Sequence, residues 1–90
     1  MAARKLPSVF QDLYAPDHAV ALEMRAQLLR ALTDWLRTSG QTQVQAAKIL
    51  GVTQARISDL NRQKISRFSL DLLVRLAARA GLRPKLRLVA

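Results

Sequence analysis

Apolar residues recur three and four apart through most of this chain, and the rhythm changes only in the last eight residues. Between Asp17 and Gly40, Leu22, Leu28, Leu29, Leu32, Trp35 and Leu36 keep helical spacing, which predicts a long first helix. Asp17 is its expected N-cap, and Gly40 ends it after Ser39. The six apolar residues read as core, Trp35 among them, rather than as a functional aromatic. Ahead of this helix, Pro7 and Pro16 bracket a small cluster of Val9, Phe10, Leu13 and Tyr14, the mark of an irregular arm with at most one helical turn.

Next come two short helices joined by a tight turn. Thr42 is a good N-cap, and Gln45 three residues later completes a capping box. Val44, Ala47 and Leu50 then lay down an apolar stripe, and Gly51 supplies the turn. Thr53 caps a second helix that buries Ile57 and Leu60. Ala47 is small enough for the second helix to approach closely, while Val52 and Ile57 plug the angle between the two. A glycine turn with a small residue at the crossing also occurs in ordinary helical hairpins. Here the capping box, the Ala47-to-Gly51 spacing and a polar outer face of Gln54, Ala55, Arg56 and Asp59 favour a DNA-reading helix-turn-helix.

The link from Arg62 to Phe68 is polar and basic. Ser69 caps a further helix, with Asp71 in the favourable first turn and a hydrophobic staple between Phe68 and Leu73. Leu70, Leu73, Val74 and Ala77 are expected on its buried face, Leu72 and Leu76 to the side, and Gly81 at its end. From Arg83 the period becomes two: Leu86, Leu88 and Ala90 alternate with Lys85, Arg87 and Val89. That is the pattern of a half-buried strand, with nothing in a helical chain to pair with, so either it is a disordered tail or it pairs with its copy in a second subunit. The second is favoured, because helix-turn-helix proteins commonly double on two-fold sites. The expected organisation is an arm over 1–16, a helix-turn-helix domain over 17–81 and a dimer strand over 82–90.

Ninety residues, half of them hydrophobic and only six of them glycine or proline, make one small ordered domain without room for a deep catalytic cleft. The absence of cysteine excludes disulfides and thiolate–metal sites. No apolar run approaches the ~20 residues of a membrane helix. Arg4 and Lys5 are basic, but Pro7, Gln11 and Asp12 interrupt the stretch after them, against a signal peptide. A cytoplasmic protein is expected. Net charge is +9, and its placement is lopsided: residues 1–42 hold five basic and four acidic side chains, residues 43–90 ten and two. A polyanionic partner fits such a field. An anionic membrane fits less well, since the cations do not gather on one face of a strongly amphipathic helix.

Thr42 to Leu60 resembles the XRE, or phage Cro/repressor-like, helix-turn-helix family. Val9-Phe10-Gln11-Asp12-Leu13, the long first helix, Ser58-Asp59-Leu60-Asn61-Arg62-Gln63-Lys64, Arg67-Phe68-Ser69-Leu70-Asp71 with Leu73, and the segment after Ala80-Gly81 are similar to the HigA-type antitoxin branch, so the likeness spans roughly residues 9–89. Two positions depart from it. Gln63 stands where the family has glycine, and Pro84 with Lys85 replaces an acidic or polar entry to the final strand. The resemblance implies an all-α, lambda-repressor-like four-helix domain that binds a palindromic operator in double-stranded DNA as a homodimer. It also implies a RelE-like ribonuclease toxin as a protein partner, held inactive, and no cofactor.

The same resemblance puts Gln54, Ala55 and Asp59 against the major groove and makes Gln43, Lys64 and Arg67 phosphate contacts. Thr53, Arg56 and Arg62 complete the candidate DNA-facing set. The chemistry is suitable: Gln pairs bidentately with adenine, Ala touches a thymine methyl and Asp accepts from cytosine. Two residues keep an open choice. Arg56 either bonds guanine or lies against the backbone, and Asp59 either reads a base or pairs with Arg56 or Arg62, each three residues away. For Lys64 and Arg67 the alternative, less favoured than phosphate contact, is a solvated loop.

An enzyme is not expected. His18, the single histidine, begins a helix, no carboxylates pair at a catalytic spacing, and no glycine loop is built for phosphate. Two binding functions remain. One is a sequence-specific transcriptional repressor. The other is a protein-binding antitoxin that grips its toxin with the first 16 residues or the long helix. The two are compatible, and a regulator without a toxin partner is a further variant.

Overall fold

A computed structural model describes residues 16–90. The expected arm, with Arg4, Lys5 and the Val9–Tyr14 cluster, lies outside the described residues except for Pro16. Four α-helices are present among the described residues: α1 Pro16–Thr38, α2 Gln43–Leu50, α3 Gln54–Asn61 and α4 Leu70–Arg79, with a 3-10 turn at Ile65–Arg67 before α4. α1 packs on α3 and, most extensively, on α4, and α2 packs on α3 and α4, so the two short helices lie against the pair formed by the two longer ones.

α1 is helical from Pro16, two residues before the start that an N-cap at Asp17 predicts. Pro16 is already helical, a position its fixed φ suits, and Asp17 lies inside the first turn. There its Oδ1 accepts from the His18 amide at 2.9 Å, so it is not the expected N-cap. Leu29 and Leu32 are buried, while Leu28, Trp35 and Leu36 pack on the core with one edge exposed. Thr33 is the one buried polar residue among those described. Its hydroxyl donates to the Leu29 carbonyl at 2.7 Å, with the Leu60 carbonyl 3.4 Å away, which ties α1 to the end of α3.

The helix-turn-helix corner forms as its sequence predicts. The Thr42 hydroxyl accepts from the Gln45 amide at 3.1 Å, and the Gln45 side chain accepts from the Thr42 amide at 2.9 Å. Gly51 adopts φ 70°, and Val52 donates to the Ala47 carbonyl at 3.0 Å. The buried stripe of α2 differs by one residue: Ala46, Ala47 and Leu50 are inside and Val44 is half exposed. Each α-helical residue turns the chain by about 100°. Leu50 therefore lies between Ala46 and Ala47 on the buried face, whereas Val44 rotates toward solvent.

The buried face of α4 is displaced in the same way. Leu73, Leu76 and Ala77 are buried, Leu72 packs at the edge, and Val74 is exposed. The expected line through Val74 is thus corrected to one through Leu76, because α4 meets α1 and α2 together and its contact direction falls between them. Ser69 caps this helix through the Leu72 amide at 3.1 Å. Phe68 and Leu73 are both fully buried, as a staple requires. Gly81 at φ 85° lets Leu82 donate to the Ala77 carbonyl at 2.9 Å and closes α4.

Residues 82–90 carry no regular secondary structure, and no strand occurs among the described residues. The expected C-terminal strand is therefore absent from the single chain. A strand exists through backbone pairing, and every described regular element here is a helix. Pro84, Lys85, Leu86 and Arg87 instead border a channel between α1 and α4 whose walls include Val20, Met24, Leu28, Leu70 and Val74.

Candidate nucleic-acid interface

Ile57 and Leu60 fix the orientation of α3 by pointing into the core. At ~100° per residue, the opposite side carries Ala55, Ser58, Asp59 and Arg62, with Gln54 at its edge. Gln54, Ala55 and Arg62 are exposed and Ser58 is half exposed. Ser58 is an addition to the residues expected from the sequence. It lies three residues after Ala55 and four after Gln54, so helical spacing alone places it on their face, and its hydroxyl can donate to or accept from a base edge. Thr53 stands at the tip of the helix, where its hydroxyl accepts from the Arg56 amide at 3.1 Å. Gln43 is exposed in the first turn of α2.

The end of α3 shapes the rest of the surface. The Gln63 amide donates to the Leu60 carbonyl and the Lys64 amide to the Asp59 carbonyl, each at 3.0 Å, a pattern that needs a left-handed residue between them. Gln63 is that residue, at φ 56°, the one non-glycine with positive φ among the described residues. A glutamine thus holds a left-handed conformation that glycine adopts most readily. This turn folds the chain back over α3 and delivers Lys64 and Arg67 to Asp59.

Asp59 consequently pairs with different partners from those its sequence spacing suggests. Its Oδ1 lies 3.9 Å from Lys64 Nζ and its Oδ2 3.8 Å from Arg67 Nη1, and neither Arg56 nor Arg62 pairs with it. Residues three apart on a helix compete poorly here with a loop that lands directly above the carboxylate. Arg56 is also engaged. Its Nη1 donates to the Arg67 carbonyl at 2.7 Å and its guanidinium lies 5.5 Å from the centroid of the Phe68 ring. It clamps the 3-10 turn to α3 rather than extending from it. Arg62, Lys64 and Arg67 thus form a cationic border beside the polar face of α3.

Among the described residues, no group of histidine, cysteine, aspartate and glutamate side chains is placed to hold a metal ion, and no helix is long and apolar enough to cross a membrane.

No curated protein matches the chain. A family model described as a helix-turn-helix domain matches residues 9–88, nearly the whole length. With two capped short helices meeting at a left-handed Gly51 and a longer helix on either side bracing them, the chain belongs to the helix-turn-helix domain family, of the XRE-like type.

Proposed function

We propose that this protein is a sequence-specific DNA-binding transcriptional repressor in which α3 enters the major groove. The observation that carries the reading is the outer side of α3: short or amide side chains at Gln54, Ala55 and Ser58, flanked by exposed Arg62 and the basic Lys64–Arg67 turn. Small polar groups allow close approach to base edges, and cations at the border neutralise phosphates and set the register. Gln43 at the start of α2 and Thr53 at the start of α3 are further backbone contacts in this reading, because helix N-termini favour phosphate.

The test is selection of duplexes from a random pool, followed by titration of the unsubstituted protein and of Gln54→Ala. A base-reading glutamine predicts a loss of about 1–3 kcal/mol on the selected duplex and almost none on random DNA. An equal loss on both makes Gln54 a positioning residue and reverses the orientation of α3.

Two finer assignments accompany this reading. The first is a homodimer formed through the tail, in which Leu86 and Leu88 turn onto the helices of both copies. Their exposure, 74% and 83%, and the neighbouring exposure of Val20 and Val74 support an apolar contact there. The second is an antitoxin role toward a RelE-like toxin in the cytoplasm, which rests on the similarity to the HigA-type branch. A small basic RelE-like reading frame adjacent to the gene would support it, and co-purification of the two products would test it directly. The protein works by binding, without catalysis or a cofactor.

A further inference from the structure

Residues 43–67 hold five cationic side chains and a single acidic one, Asp59. It is on the outward side of α3, where a carboxylate facing a phosphate backbone is repelled. Yet its side chain is only 20% exposed, because Lys64 and Arg67 lie over it. Those two cations remain 40% and 59% exposed, each with one side open to solvent. At 3.9 and 3.8 Å the contacts are ion pairs of loose geometry, longer than any hydrogen bond. Pairs this loose, with the cations partly in solvent, contribute little to folding. Arg56 does not take part, since it is held by the Arg67 carbonyl and the Phe68 ring.

We infer that Asp59 is an internal stand-in for phosphate. It occupies the Lys64 and Arg67 charges in the free protein and must give them up when DNA binds. Asp59 therefore sets the affinity scale and reads no base. It lowers binding to every duplex by a similar factor, which keeps sequence-independent sites unoccupied without altering preference. Reading cytosine would require the carboxylate to leave two cations at once, whereas surrendering them to phosphates requires only that Lys64 and Arg67 swing outward on flexible stems. The inference rests on the DNA-binding function proposed above.

Asp59→Asn tests it, because asparagine keeps the size and the backbone carbonyl that accepts from the Lys64 amide. The full chain is titrated against a random-sequence duplex and against the duplex selected from a random pool, at about 50 and 200 mM salt. The expected result is binding about fivefold tighter on both duplexes at the lower salt, with the gain shrinking at the higher. In a Lys64→Ala/Arg67→Ala background the gain should fall below about twofold, since the cations that exchange partners are gone. A loss confined to the selected duplex makes Asp59 a base reader and overturns the inference. Loss on both makes it a support that positions the cations, and no change on either removes it from the interface; each of these also overturns the inference. Should Asp59→Asn melt below the assay temperature, Asp59→Ser carries the same expectations. Unsubstituted protein that binds neither duplex overturns the DNA-binding function itself, a failure distinct from an indifferent Asp59.

Discussion

Gln63 is the residue on which the candidate interface turns. A left-handed backbone puts the Cβ of an L-residue against its following carbonyl, at about 1–2 kcal/mol. Gln63 accepts that strain because the Lys64 and Gln63 amides otherwise lose the Asp59 and Leu60 carbonyls. Glycine at this position removes the clash but adds freedom to the unfolded chain, which offsets roughly 0.4–1 kcal/mol. Gln63→Gly should therefore stabilise the domain by about 0.5–1 kcal/mol. A thermal melt of the variant checks this, and an unchanged or lower midpoint shows that the glutamine side chain makes compensating contacts.

At the scale of elements, the joint between α2 and α4 rests on a few atoms. The Arg79 Nη1 group donates to the Leu50 carbonyl at 2.7 Å, so the last turn of α4 satisfies an otherwise unpaired acceptor at the end of α2. Gly51 makes room for it: a Cβ there would stand 3.1 Å from the same Nη1, on a backbone at φ 70°. Gly51→Ala thus combines left-handed strain with pressure on a structural hydrogen bond. A destabilisation of about 1–2 kcal/mol is expected, read as a fall in melting midpoint of about 4–15 °C for a domain of this size. Arg25 makes a comparable though longer contact, 3.4 Å to the Phe68 carbonyl, from α1 to the segment that leads into α4. Side chains of the outer helices therefore brace the corner that follows α2 and the segment that links α3 to α4.

At the scale of the whole molecule, the described residues present two dissimilar surfaces. One is the polar and cationic border of α3. The other is the channel between α1 and α4, where Val20, Val74 and Leu86 leave apolar area in water beside Glu23, Lys85 and Arg87. The proposed two-fold pairing of tails would cover that area and set two α3 helices about 34 Å apart, one turn of DNA. Deleting residues 84–90 should then give a monomer that binds a half-site weakly. Sedimentation of the truncated protein decides the matter: a dimer of undiminished affinity moves the interface away from the tail.

Local chemistry was legible along the chain. Thr42 with Gln45, Thr53, Ser69, Gly40, Gly51 and Gly81 act over three or four residues, so caps, stops and the corner between α2 and α3 follow from composition and spacing alone. The small Ala47 and the buried Ile57 and Leu60 were readable for the same reason. What required the tertiary structure was direction. Whether Val44 or Ala46 and Val74 or Leu76 face inward depends on rotations of tens of degrees, which neighbouring helices impose and the periodicity of such short helices leaves open. Side-chain partners across loops were decided there too. Nothing local announces that Arg56 caps the Arg67 carbonyl or that Asp59 meets Lys64 and Arg67, because those contacts depend on how the left-handed turn at Gln63 folds the chain back. The alternating tail marks the opposite limit: its period is evident in the sequence, but a strand needs a partner backbone, and no strand of this chain supplies one among the described residues.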